Sequence, residues 1–213
     1  MFKILLKKIT RNRLDYGWAV CIQKIVSHIF KPIFKTQSYH IYMVDLQKFS
    51  PEKPKAPSEF VFRFINSEET ELLAQIENIE EWLHGKLLAK LQNGQKCLVA
   101  MAGETVAGFN LIGFNIFTLP PVKMSKPIRS HECFSEQISV NPKFRNKGLG
   151  TELRRRIFAA MKEAGYHRMY GGTQVCNTAN KALSKKVGLR EFAVARYTNI
   201  FGFDWLSISR KKD

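Results

Sequence analysis

From Ile138 to Gly150 the chain reads Ile-Ser-Val-Asn-Pro-Lys-Phe-Arg-Asn-Lys-Gly-Leu-Gly, a β-branched strand end that enters a basic, glycine-containing turn and then a helix. Residues of these types at this spacing suit the holding of an anion. Glycines at 148 and 150 allow backbone conformations closed to other residues, so successive N–H groups converge where the positive end of the helix also points. The ligand expected there carries phosphate. The helix is marked by Leu153, Ile157, Ala160, Met161 and Ala164 at three- and four-residue spacing, with Gly165 at the terminating position. Arg154, Arg155 and Arg156 fall mostly off that stripe, and read either as a solvated face or as added positive charge beside the turn.

Two phosphate loops fail on spacing. A P-loop needs lysine and then Ser or Thr after its last glycine, whereas here Lys147 precedes Gly148 and Thr151 follows Gly150 directly. A dinucleotide fingerprint needs a third small residue where Leu153 stands. Nucleotide hydrolysis and dinucleotide binding are both disfavoured.

Arg145-x-x-Gly148-x-Gly150, preceded by Val140-x-Pro142, resembles the signature of the GNAT superfamily of acyl-CoA-dependent N-acyltransferases. Downstream, Met169–Cys176 reads as a strand, and Asn177-x-x-Asn180-x-x-Leu183 opens a short helix closing at Val187-Gly188-Leu189, similar to the family's second signature. The resemblance covers residues 134–192 in order and spacing. It implies a mixed α/β fold: a central, mostly antiparallel sheet with a splayed parallel strand pair, flanked by helices. It also implies acetyl-CoA or another acyl-CoA as co-substrate. The N–H groups of Arg145, Asn146, Lys147, Gly148, Leu149 and Gly150, with Thr151 beside them, would hold the pyrophosphate. The main chain from Ile138 to Val140 would pair with the pantetheine arm, Asn177 and Asn180 would approach it from the next strand's end, and the N–H near Val140 would polarise the thioester carbonyl.

Two positions depart from the family pattern. Asn146 stands where many members have glycine, and it tolerates left-handed geometry better than most residues. Ser184 stands where many members place a tyrosine that protonates the leaving thiolate. A serine is too short and too weak an acid, which leaves protonation to solvent. For the base that deprotonates the incoming amine, Glu136 shares strand parity with Ile138 and Val140 and is expected to face the same way. Glu132 and His131 are the other candidates, and an exposed, non-catalytic carboxylate is the simpler reading of Glu136.

Other segments must position this constellation. Glu59–Asn66 alternates as a first strand, and Ser67-Glu68-Glu69-Thr70 opens a helical region with a break at Gly85. Cys97–Met101 and Thr105–Ile112 form a hairpin around Ala102-Gly103-Glu104. Phe109–Pro121 continues a core strand or lines the acceptor's entrance, and Phe192–Ile200 finishes the sheet. The domain is expected over 58–213, after an extension over 1–57 that ends in a Pro/Lys connector.

In that extension, residues 1–37 carry eight Lys or Arg against one acid, Asp15, with Leu14, Trp18, Cys21, Ile22, Ile25, Ile29 and Ile33 at roughly helical spacing. It is too charged to span a bilayer and lacks a secretory cleavage pattern. It suits either packing on the domain or a second copy, giving a homodimer, or lying on an anionic membrane. The formal charge of +16 over 213 residues fits anionic partners, yet aromatic platforms or a module for nucleic acid are not evident. Four scattered cysteines signal neither zinc nor disulfides, and the cytoplasm, with possible attachment to the inner membrane face, is the expected compartment. The chain reads as an N-acyltransferase for a small-molecule, glycan-linked or lipid-linked amine. A long-chain or membrane-associated transferase, and an inactive protein of this fold that binds membrane or nucleic acid, are the alternatives.

Overall fold

In a computed structural model of the chain, which describes residues 34–50 and 59–211, a strongly apolar stretch of sequence becomes a buried hairpin. Its strands are β3 (Lys96–Ala102) and β4 (Thr105–Phe114), joined through Gly103 at φ 58°. β4 is buried from Val106 to Gly113, because both faces of the sheet are covered there. The remaining strands of this sheet are β1 (Phe34–Asp45), β2 (Val61–Ile65), β7 (Glu132–Val140), β8 (Arg168–Gln174), β9 (Arg190–Ile200) and β10 (Phe203–Arg210), in the order β10-β9-β1-β8-β7-β4-β3-β2. Only β7 and β8 pair in parallel; the other neighbours are antiparallel. A separate two-stranded ribbon joins β5 (Ile116–Leu119) to β6 (Met124–Pro127), so the second half of Phe109–Pro121 leaves the main sheet.

Helices α1 (Thr70–Ile79) and α2 (Leu87–Gln92) cover one face, packing Leu73, Ile76 and Leu87 against Val99, Met101, Phe109 and Leu111. The β5–β6 ribbon extends that layer over Phe134, Ala193, Ala195 and Tyr197. Helices α3 (Leu149–Glu163) and α4 (Thr178–Lys186) belong to the opposite face, where α3 buries Leu149, Leu153, Ile157, Phe158 and Met161. Gly85 and Gly165, at φ 68° and 83°, stand where the helices break and end as their positions in sequence predict. No helix among the described residues is long and apolar enough to cross a membrane.

One boundary is corrected. Phe34–Asp45, assigned from sequence to the extension, is a twelve-residue strand seated between β8 and β9. Helical spacing of apolar residues up to Ile33 masked the change of period, while Tyr39, Ile41, Tyr42 and Val44 are good strand formers. The basic stretch over 1–33 and the connector over 51–58 lie outside the described residues. β10 is an edge strand exposed along its length, including Phe203 and Trp205.

Removing residues 1–45 is therefore expected to abolish cooperative folding, whereas removing 1–33 leaves β1 in place. Ile41, Tyr42, Met43 and Val44 are each at most 8% exposed. Burying four such side chains stabilises by about 6–12 kcal/mol, comparable with the entire stability of a domain. Thermal unfolding of the two truncations measures the difference, and equal melting behaviour would remove β1 from the core.

Candidate active site

β7 and β8 lie side by side only from Glu132 opposite Arg168 to Ser135 opposite Gly171. Beyond that rung β7 continues to Val140 against β4, and β8 to Gln174 against β1, so a gap opens between them. Asn141 donates its N–H to the Ala107 carbonyl on β4 at 2.9 Å. Alternation along an antiparallel strand then turns the main-chain groups of Val140 and Ile138 away from β4 and into the gap. The Val140 carbonyl accepts from Arg145 Nε at 3.3 Å, which holds that side chain back against its own strand.

The loop after β7 forms a row of unsatisfied donors. Asn146 and Gly148 adopt φ 66° and 75°, and none of the N–H groups of Asn146, Lys147, Gly148, Leu149 and Gly150 is bonded to a described protein acceptor. The first bonded N–H groups of α3 are those of Thr151 and Glu152, both to the Gly148 carbonyl at 3.0 and 3.1 Å. These donors sit at the positive end of a 15-residue helix, an arrangement suited to a phosphate. Gly150 differs from expectation: it is helical, and a Cβ there would make ordinary contacts of 3.5 Å with Leu183 and 3.7 Å with Val140. Lys147 pairs with Glu59 at 3.0 Å and lies over the Phe60 and Phe144 rings.

The face expected for Glu136 is also corrected. Ile112 stands opposite Ser135 and Leu111 opposite Gln137, so Glu136 is the extra residue of a β-bulge. The bulge breaks parity. Ile138 and Val140 pack toward the α3 core, whereas Glu136 reaches Lys90 of α2 on the opposite face, Oε1 to Nζ 2.5 Å. Its Oε2 is buried without a partner, and the side chain is 8% exposed. Two neighbours on this face escaped the sequence reading: Lys90, and Glu80 at the end of α1, whose Oε1 accepts from Ser139 Oγ at 2.5 Å. Neither lies in a motif; only the α1–α2 packing brings them to β7.

The other base candidates sit at the far end of β7. Glu132 accepts from the Tyr170 hydroxyl at 3.1 Å and the Arg129 N–H at 3.1 Å, and pairs with Arg168 at 3.5 Å. Burial and that carboxylate push the Tyr170 hydroxyl above its ordinary pKa. His131 packs on His167, ring centroids 4.8 Å apart. Neither Glu132 nor His131 approaches the loop. Burial pushes the Cys97 and Cys133 thiols up to about 12, which leaves both unsuited to nucleophilic attack.

On the α3–α4 side, Asn177 caps α4, its Oδ1 accepting the Asn180 N–H at 3.0 Å. The Asn180 side chain turns inward: Nδ2 donates to Thr173 Oγ1 at 3.0 Å, and Oδ1 accepts from Arg154 Nη2 at 3.2 Å. It is thus committed to the protein and not to the gap. Arg154, read from sequence as part of a charged run, is 4% exposed. Ser184 is 1% exposed, and its hydroxyl has no partner.

Three comparisons bear on this arrangement. The model of the acetyltransferase (GNAT) family matches residues 56–189. Among curated proteins none matches the sequence. Solved structures share the fold. A GCN5-related N-acetyltransferase from Sphaerobacter thermophilus superposes with a TM-score of 0.57 at 12% identity, over 85% of this chain and 57% of that one. A Drosophila protein superposes with a TM-score of 0.58 at 17% identity over the same shares. A tandem GNAT protein from the clavulanic acid biosynthesis pathway gives 0.57 at 12% identity, over 90% of this chain and 59% of that one. The chain thus spans less than two thirds of the length of these structures. The family model takes in the donor loop, the diverging parallel strands and the capped helix α4, and by that match the chain belongs to the acetyltransferase (GNAT) family.

Proposed function

We propose that the protein transfers an acyl group, in the simplest case acetyl, from coenzyme A to an amine by direct attack, with no covalent enzyme intermediate. The observation that carries this reading is the run of unbonded N–H groups from Asn146 to Gly150 at the mouth of the β7–β8 gap. Those donors, together with the Lys147 ammonium, would hold a pyrophosphate. The main-chain groups of Ile138 and Val140 would pair with the pantetheine arm along the open edge of β7, and the spare side-chain amide of Asn177 would approach it from α4. The Val140 N–H would donate to the thioester oxygen as negative charge gathers on it, worth about 3 kcal/mol of barrier in comparable sites. Glu136 would take the ammonium proton from the opposite face, where its free Oε2 is buried. As the amine nitrogen bonds to the acyl carbon, the carbon–sulfur bond breaks and its electron pair stays on sulfur.

Calorimetric titration with acetyl-CoA and with a long-chain acyl-CoA, at moderate salt to suppress unspecific attraction, tests the reading and ranks acyl length. Micromolar binding of one of them is expected, followed by acyl transfer in a screen of amines. Failure of both to bind would overturn it.

A further inference from the structure

Arg154 is a buried cation with no opposite charge beside it among the described residues. Among them its one hydrogen bond is to the neutral amide of Asn180, its Nε is buried without a partner, and no described carboxylate pairs with it. Removing a charge from water without a counter-charge is strongly unfavourable, and an anion arriving beside the guanidinium would offset that cost. Burial pulls its pKa down to about 10, which leaves it cationic at neutral pH. Ser184, one helical turn beyond Asn180 on α4, also holds a buried hydroxyl with no partner.

The location identifies the anion. Arg154 Nη1 would stand 3.6 Å from a Cβ at Gly171, and Gly171 opposite Ser135 is the last rung before β7 and β8 part. The guanidinium therefore lies at the closed end of the gap, with the unbonded N–H row at its mouth. Gly172, next along β8, serves the other face: a Cβ there would come within 2.2 Å of Leu119 on the β5–β6 ribbon. The Gly171-Gly172 pair thus thins the strand on both sides at the level of Arg154.

We propose that Arg154 is a catalytic residue that stabilises the departing coenzyme A thiolate by its positive charge, so that the sulfur leaves as an anion and no side chain at position 184 has to protonate it. This rests on the acyl-CoA reading above. The balance of the step is complete without a proton from Arg154: the carbon–sulfur pair remains on sulfur, and the amine's proton goes to Glu136 or to solvent. A guanidinium of pKa about 10 keeps its proton beside a thiol that ionises near 8.5 in an ordinary cysteine, so the two form an ion pair.

The test follows the product. Coenzyme A is bound to the intact protein, and its thiolate is titrated by ultraviolet absorbance across pH. The bound thiol is expected to ionise at least about one pH unit below the free one, a tenfold change in the ionisation constant. Arg154→Met should erase that shift and lower kcat about 100-fold while acyl-CoA affinity stays within a fewfold of wild type. Arg154→Lys, which keeps the charge, should retain most of the shift. A wild-type bound thiol that titrates like free coenzyme A overturns the proposal even if Arg154→Met does not fold, and so does a shift that persists in Arg154→Met. Failure of coenzyme A to bind the wild type overturns the acyl-CoA reading itself, a separate result.

Discussion

Gly148→Glu is expected to weaken acyl-CoA binding at least about 100-fold while leaving the fold intact. A Cβ at position 148 would meet no atom within 4 Å, so the side chain clashes with nothing in the protein. Two effects remain. The left-handed backbone at φ 75° costs a residue with a side chain about 1–2 kcal/mol. The carboxylate then stands among the unbonded N–H groups that would otherwise meet phosphate. At about 4 Å, in the dielectric of a protein surface, repulsion between two unit charges is of order 4 kcal/mol, and about 2.7 kcal/mol already corresponds to 100-fold. The same carboxylate is favourable at a helix N-terminus, by about 0.3–1 kcal/mol, which offsets part of the backbone strain in the folded protein. Stability and binding should therefore separate: a melting temperature close to wild type with cofactor affinity lost. Gly148→Ala isolates the strain and should bind within about tenfold of wild type. Calorimetric titration of the three proteins decides it, and equal affinities would remove the phosphate assignment from this loop.

The legibility of this loop in the sequence has a physical basis. Strand, left-handed turn and helix are consecutive in the chain, so local rules describe them, and Asn146 and Gly148 take the left-handed geometry their types permit. The same holds for α4, whose Asn177 cap is a local interaction. What sequence did not disclose depends on contacts between distant segments. The place of β1 between β8 and β9 joins residues more than a hundred positions apart, and no periodicity in Phe34–Asp45 names its neighbours. A bulge in β7 reversed the side of Glu136, and alternation arguments assume that no residue is extra.

Arg154 was legible in part. Phe158 stands one turn further along α3 and Met161 three residues beyond that, so the series 154, 158, 161 runs along a buried strip of the helix. Reading Arg154, Arg155 and Arg156 as one charged run hid that they point in three directions. Arg154 is buried against α4 and β8, whereas Arg156 pairs with Glu152 at 2.7 Å and lies over the Phe62 ring. A run of like residues on a helix is divided by the turn angle, and one of them entered the core.

For Glu136→Gln the expected loss is in turnover, about 100- to 10,000-fold in kcat, with acyl-CoA affinity unchanged. The amide keeps the shape and can still accept from Lys90, so the bulge and α2 remain in register. What disappears is the ability to take a proton. An amine reaches the site mainly as an ammonium near neutral pH, since an alkyl ammonium such as lysine's ionises near 10.4. Wild type would remove that proton within the complex, giving a rate that levels off as pH rises. The variant would depend on the small fraction of amine already neutral, so its rate should climb about tenfold per pH unit until the amine's own pKa is reached. At high pH the two proteins should converge, because the base is then no longer needed. A merely structural carboxylate predicts otherwise: Glu136→Gln would lower thermal stability through the lost Lys90 ion pair, while the pH–rate profile kept its wild-type form. The burial of Oε2 without any partner favours the first outcome, since an unsatisfied buried carboxylate oxygen costs about 1–3 kcal/mol or more and gains a use only when a donor arrives. An amine entering from the α1–α2 face would be such a donor, on the side of the sheet where Ser139 of β7 donates to Glu80 at the end of α1.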